Sequence, residues 1–153
     1  MLYRLDNVSV ADLSKMQTNL KHTILQIDKW DASYLWLFLN MMDLYSFSDL
    51  EGLMSSIFNH YKNDDNYTNS SLKILAGIVV KYVFICKQHD LVEVEMQKNL
   101  EFLDELSHDP AIFVEKLFGQ YFKAELDHNE QLKKQLAGFL KEGNYGFYFE
   151  RLN

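Results

Sequence analysis

The stretch SLKILAGIVVKYVFICKQH, residues 71–89, decides the fold class. Its β-branched centre, IVVKYVFI, is also strand material, because Val, Ile and Tyr suit a pleated surface. Yet Leu72, Leu75, Ile78, Val79, Tyr82, Val83 and Cys86 recur at spacings of three and four over a run longer than an ordinary strand. That period gathers them into the widest apolar face of the chain and predicts a buried helix over 71–89. Lys73 and Lys81 interrupt the stretch, which leaves too little uncharged length to cross a bilayer. Gly77 within it suits close approach by a neighbour.

Toward the N-terminus, the polar run 62–71 predicts a solvated loop. Before it, Ser46 and Asp49 resemble a capping box with aspartate in place of glutamate. They open a helix carrying Leu50, Leu53, Met54, Ile57, Phe58 and Tyr61. Asp31 is a good N-cap for a further helix through Tyr34, Leu35, Phe38, Leu39 and Met42, which is apolar all round. A first helix over 10–27, behind Ser9, gathers Val10, Leu13, Met16, Leu20, Ile24 and Ile27. Toward the C-terminus, 91–106 reads as a helix with Val92, Met96, Leu100 and Leu103 inward and Glu93, Glu101, Asp104 and Glu105 outward. Asp109-Pro110 then signals a helix over 110–126, with Phe113, Leu117, Phe118 and Tyr121. The last helix, 129–142, carries Leu132, Leu136, Phe139 and Leu140, with Gly143 at C′.

The expected fold is therefore all-α: six to eight helices as stacked antiparallel hairpins, first read as a right-handed tetratricopeptide-like array and second as a compact bundle. With 153 residues, 48% of them hydrophobic, the chain suffices for one sizeable core, so residues 1–153 read as a single helical-repeat domain. One proline and six glycines leave little punctuation for a many-stranded sheet. The net charge of −7 argues against a surface built to hold phosphate backbone. Residues 1–15 lack an apolar signal core and a cleavage pattern, which predicts a soluble, cytoplasmic protein without a membrane association. The lone cysteine excludes an intrachain disulfide.

Catalytic groups are not in view. His22, His60, His89, His108 and His128 show no metal-ligand spacing and read as surface or helix-terminal residues. Asp64, Asp65 and Asn66 lack the spacing of a calcium loop. Glu101, Asp104 and Glu105 read as a wet helix face, and Cys86 as a buried thiol. No phosphate-cradling glycine loop occurs, so neither an enzyme nor any cofactor or metal is expected. The excess is aromatic, with 22 Phe, Tyr and Trp residues. Among them Trp30, Tyr34, Trp36, Tyr45, Tyr82, Tyr121 and Phe122 are bulkier than a plain helical core needs. They fill wide gaps between helices or line a binding surface. The tail NYGFYFERLN, with Tyr145, Phe147, Tyr148 and Phe149, is apolar enough to require a docking surface.

At WDASYLWLFLNMMDLYSFSDLEGLMSSIF, residues 30–58, the chain resembles the C-terminal helical domain of the Rgg/GadR/MutR family of bacterial regulators. Trp30, Tyr34, Leu37 and Phe38, then Leu44, Ser46 and Leu50, carry the likeness; ILAGIVVKYVFICKQHDLVEVEMQKNLEFLDEL and PAIFVEKLFGQYFKAEL extend it. Leu39-Asn40-Met41 and Ala76-Gly77 depart from the family pattern. The resemblance implies a cytoplasmic homodimer that senses a short hydrophobic peptide. Trp30, Tyr34, Phe38, Asn40, Tyr82, Gln88, Gln97 and Tyr121 become the expected ligand contacts, and Phe139, Tyr145, Phe147, Tyr148 and Phe149 the expected dimer contacts. No basic recognition helix is legible, so a helix-turn-helix and direct nucleic-acid binding are not expected of this chain. The alternative is a stand-alone protein-interaction or immunity protein whose acidity suits a basic partner.

Overall fold

A computed structural model describes residues 10–27, 29–62, 68–89 and 93–147. Among them the chain is all-helical: seven α-helices, two short 3-10 turns and no strand. It divides into two compact units, Met1–Asp65 and Asn66–Asn153.

The N-terminal unit holds α1 (Val10–Leu25), α2 (Ala32–Met41) and α3 (Phe47–Tyr61). Asp31 starts α2 as expected, its Oδ1 accepting from the N–H groups of Ser33 at 2.9 Å and Tyr34 at 3.0 Å. A 3-10 turn, Met42–Leu44, ends it. Ser46 starts α3, its Oγ accepting from the Asp49 N–H at 3.2 Å. Leu35 and Phe38 of α2, Met42 of the turn, and Leu50, Met54 and Ile57 of α3 are all buried and supply the core of this unit. Trp30, in the link before α2, fastens this core. Its Nε1 donates to Ser56 Oγ at 3.0 Å, and its carbonyl accepts from the Tyr61 hydroxyl at 3.0 Å. Its ring lies 5.7 Å from that of Phe38, which in turn meets Tyr45 edge-on at 5.9 Å.

The C-terminal unit is built on α4 (Asn69–Gln88), followed by α5 (Glu93–Glu105), α6 (Phe113–Leu126) and α7 (Glu130–Glu142). The stretch that suited either strand or helix is helix, opened slightly earlier than its apolar face. Thr68 Oγ1 reaches the Ser71 N–H at 3.1 Å, so the end of the polar run caps the helix instead of looping. By length and composition α4 would also span a membrane, but 61% of its apolar window is buried inside the protein. Leu75, Ile78, Val79, Tyr82, Val83 and Cys86 are all fully covered, and α5, α6 and the 3-10 turn Pro110–Ile112 pack against this helix.

Helix α6 approaches α5 closely at Gly119, where a Cβ would stand 2.9 Å from Leu103 Cδ2. From the same helix Lys116 Nζ donates to the carbonyls of Asp104 at 3.0 Å and Leu106 at 2.8 Å, satisfying the open C-terminus of α5. Burial lowers the pKa of this ammonium. The Asp109-Pro110 start signal holds, with Asp109 Oδ1 accepting from the Ala111 N–H at 2.7 Å. The first turn is the 3-10 segment, however, and α6 proper begins at Phe113.

Gly143 does not take the left-handed C′ position expected of it. Its φ is −76°, and Asn144 adopts φ 66° instead. Helix α7 ends at Glu142 as expected, but Gly143 is its C-cap with right-handed backbone, so the left-handed position falls one residue later on Asn144, and asparagine tolerates that region. The Asn144 N–H then donates to the Lys141 carbonyl at 3.0 Å, and the Tyr145 N–H to that of Leu140 at 2.8 Å. The same closure ends α6 at His128, with φ 54°. There the N–H groups of His128 and Asn129 reach the carbonyls of Glu125 at 3.1 Å and Ala124 at 2.8 Å. A histidine pays a steric cost there that glycine does not, so His128→Gly is expected to stabilise the protein by about 1 kcal/mol. A higher urea midpoint at unchanged slope would be the readout; a lower midpoint would mean that the imidazole makes a contact worth more than the strain.

Candidate interaction surfaces

The N-terminal unit leaves large apolar side chains in water on two helices. On α1, Met16 is 56% exposed and Leu20 one turn later is also open, whereas Ile24, the next on that stripe, is fully buried. On α2, Trp36 is 58% exposed, and Tyr34, on another face of the helix, is open as well. This follows from the register of α2, because a residue one position past Leu35 points about 100° away from the core stripe. Asn40 is one turn on from Trp36, and its Nδ2 donates to the Trp36 carbonyl at 2.7 Å. Leu44, in the 3-10 turn, continues the exposed apolar set.

An ionic node lies between α1 and α3 in the same unit. Lys21 Nζ is 2.9 Å from Asp49 Oδ2 and 5.5 Å from the centre of the Tyr45 ring. Hydrogen bonds from Lys21, then from Ser46, hold the Asp49 carboxyl below its ordinary value. Burial, and secondarily Asp49, pushes the Tyr45 phenol up to about 12, and its hydroxyl has no hydrogen-bond partner among the described residues.

The C-terminal unit exposes Val94 on α5, Phe113 at the start of α6, Leu132 and Phe139 on α7, and Phe147 beyond it. Its main electrostatic feature joins three helices at Glu125 of α6. That carboxylate accepts from Lys87 of α4 and, at 2.7 Å, from Lys133 of α7. Burial raises the Glu125 pKa, but the two ammonium groups outweigh it and hold the carboxyl below its ordinary value. The same cations lie over aromatic rings, Lys87 at 6.0 Å from Phe122 and Lys133 at 5.8 Å from Tyr121. A second tie links Asp104 of α5 to Lys123 and Gln120 of α6. The face read as merely wet is in part an interhelical contact.

The residues expected at a ligand site fall into distinct environments. Trp30 and Phe38 are core side chains of the N-terminal unit, in contact with each other; Tyr34 and Asn40 are exposed there. Tyr82 and Tyr121 are buried in the C-terminal unit, Tyr121 edge-on to Phe122 at 5.3 Å. Gln88 and Gln97 are exposed, Gln97 donating to Glu101 at 2.9 Å within α5. Of the expected dimer contacts, Phe139 is 65% exposed, Phe147 is exposed and Tyr145 is half-buried. Tyr148 and Phe149 lie outside the described residues, as do Ser9 and the Asp64-Asp65-Asn66 turn. The exposure of Met16, Leu20 and Phe113 escaped the sequence reading, which places them on apolar stripes. Cys86 is buried, and no group of three or more His, Cys, Asp or Glu among the described residues is placed to hold a metal ion.

Comparison of the chain with models of known families, with curated proteins and with solved structures gives no match.

Proposed function

We propose that the chain is a peptide-sensing, homodimerising regulatory domain of a bacterial transcriptional regulator of the Rgg/GadR/MutR type, with its helices stacked as tetratricopeptide-like hairpins. The observation that carries this reading is Trp36. A largely exposed indole, with the Asn40 amide one turn on along the same face, is an anchor of the kind that recognises apolar peptide segments. Tryptophan combines a large apolar face with one donor, and asparagine offers donor and acceptor groups to a peptide backbone. The likeness of residues 30–58 to that family, centred on the same helix, supports it. So does the packing of α5 on α4, α6 on α5 and α7 on α6 in chain order, as a hairpin array requires. The net charge of −7 favours protein or peptide ligands over nucleic acid.

Tryptophan fluorescence provides the test, because Trp30 is buried and Trp36 is open. Titration with a panel of short apolar peptides should give a saturable blue shift for at least one of them. Trp36→Ala should abolish it while leaving the urea midpoint within about 0.5 kcal/mol of the parent. A panel without any saturable response, or a response that survives Trp36→Ala, counts against the reading.

A further inference from the structure

We infer that the peptide group seated on Trp36 is a cation: an arginine or lysine side chain that lies over the indole and donates to Asn40 Oδ1. The inference rests on the peptide-sensing part of the proposal above and adds the charge of the ligand. Contact with an open indole rewards any apolar side chain alike, so selection comes from the charged and polar groups around it. Those charges have one sign. From Trp30 to Asn59 the chain carries Asp31, Asp43, Asp49 and Glu51 and no lysine, arginine or histidine. The nearest cation before this segment, Lys29, precedes the α2 cap, and Lys21 of α1 is paired with Asp49. An anion brought to this face is repelled and a cation is drawn in, the more so because the whole chain has a net charge of −7.

The local chemistry agrees with that field. Asn40 lies one turn on from Trp36 along the same face, and its Nδ2 donates to the Trp36 carbonyl at 2.7 Å. The atom this leaves to a ligand is Oδ1, an acceptor, so the ligand has to bring a donor. The indole is the best of the aromatic rings for a cation, and among the described residues Trp36 has neither a cation nor another ring against it. Elsewhere the protein fills such seats itself. Lys21 serves the Tyr45 ring and Asp49, while Lys87 and Lys133 serve Phe122 and Tyr121 beside Glu125. At Trp36 the ring stands open in an acidic segment, and the cation comes from the ligand. Leu44, 44% exposed in the following 3-10 turn, offers apolar contact to the residues that flank it.

Calorimetric titration of the full chain with three N-acetylated, C-amidated pentapeptides tests this. They share leucine and phenylalanine at the flanking positions and differ only in the central residue, which is arginine, citrulline or glutamate. Citrulline keeps the shape of arginine and its capacity to donate, without the charge. The arginine peptide should bind about tenfold more tightly than the citrulline peptide at low salt, and the glutamate peptide should bind most weakly. Added salt should narrow the gap. Trp36→Leu keeps an apolar side chain but no ring face, so it should bring the arginine and citrulline peptides to within about twofold of each other. Asn40→Ala should weaken both alike, because both donate. Both substituted side chains are exposed, so circular dichroism should match the parent. Equal affinity for the three peptides, or an arginine preference that survives Trp36→Leu, would overturn the inference and leave peptide sensing in place. If the apolar panel responds through Trp36 and none of these three binds, the inference likewise falls alone; if nothing binds in either experiment, both fall.

Discussion

Trp30→Ala is expected to destabilise the N-terminal unit by about 3–5 kcal/mol, as the truncation of a buried large aromatic does. Three losses coincide. The indole leaves a cavity beside Phe38, whose ring it contacts at 5.7 Å. The Ser56 hydroxyl loses the Nε1–H that it accepts at 3.0 Å. The link into α2 loses the bulk that holds its backbone where the Tyr61 hydroxyl can donate to the Trp30 carbonyl at 3.0 Å. Trp30→Phe separates these contributions: most of the ring volume remains and only the indole donor is removed, so a cost near 1 kcal/mol for the hydrogen bond plus a small cavity cost is expected. Hydrogen exchange should show the loss at the buried amides of α2 and α3. A fall below about 1 kcal/mol for the alanine variant would show that the unit collapses around the gap.

Glu125→Ala should cost the C-terminal unit about 2 kcal/mol, less than the loss of a fully buried ion-pair partner because the side chains keep some contact with water. Glu125 accepts from both Lys87 of α4 and Lys133 of α7, and its side chain is only 22% exposed. Without it, two ammonium groups from different helices lose their shared anion; Lys133 keeps only the long contact to the exposed Glu130 at 4.0 Å, and the contacts to Phe122 and Tyr121 remain. The pH dependence has a definite sign. The folded carboxyl titrates below its ordinary value of 4.5, so as the pH falls the unfolded chain takes up the proton first. The stabilisation is therefore fully present above that ordinary value and is lost as the pH falls through the depressed folded one. Glu125→Gln should remove this component of the acid loss, so the parent and variant curves converge at low pH and separate toward neutrality. Parallel curves across that range would mean that the carboxylate contributes nothing as a charge.

Where local chemistry is strong, the sequence was enough. The caps at Asp31, Ser46 and Asp109 are each made by a short side chain reaching an N–H two or three residues on, an interaction that needs no distant part of the chain. The apolar period of 71–89 likewise determined a helix, although its residue types allowed a strand. Helix ends shifted in a few places: α1 stops at Leu25, α4 opens at the Thr68 cap, α6 proper begins after the 3-10 turn Pro110–Ile112, and the left-handed position after α7 falls on Asn144 instead of Gly143.

The candidate surface was less legible, and the reason is geometric. Trp30 and Trp36 are both aromatic and both border α2, yet one is a core fastener and the other is open to solvent. Composition alone does not separate them; Trp30 is held in the core by Ser56 and Tyr61 of α3, whereas Trp36 falls off the buried stripe of α2. Tyr82 and Tyr121 were singled out for their size and are interior, on faces of α4 and α6 that other helices of their unit cover. The sequence by itself determined that this protein is helical and where most of its helices start, because those choices depend on hydrogen bonds and periodicity within a few residues. Tertiary structure alone decided which stripe of each helix found a partner, since burial depends on the side chains that other helices bring to it. It thereby left Met16, Leu20 and Trp36 as apolar side chains without cover.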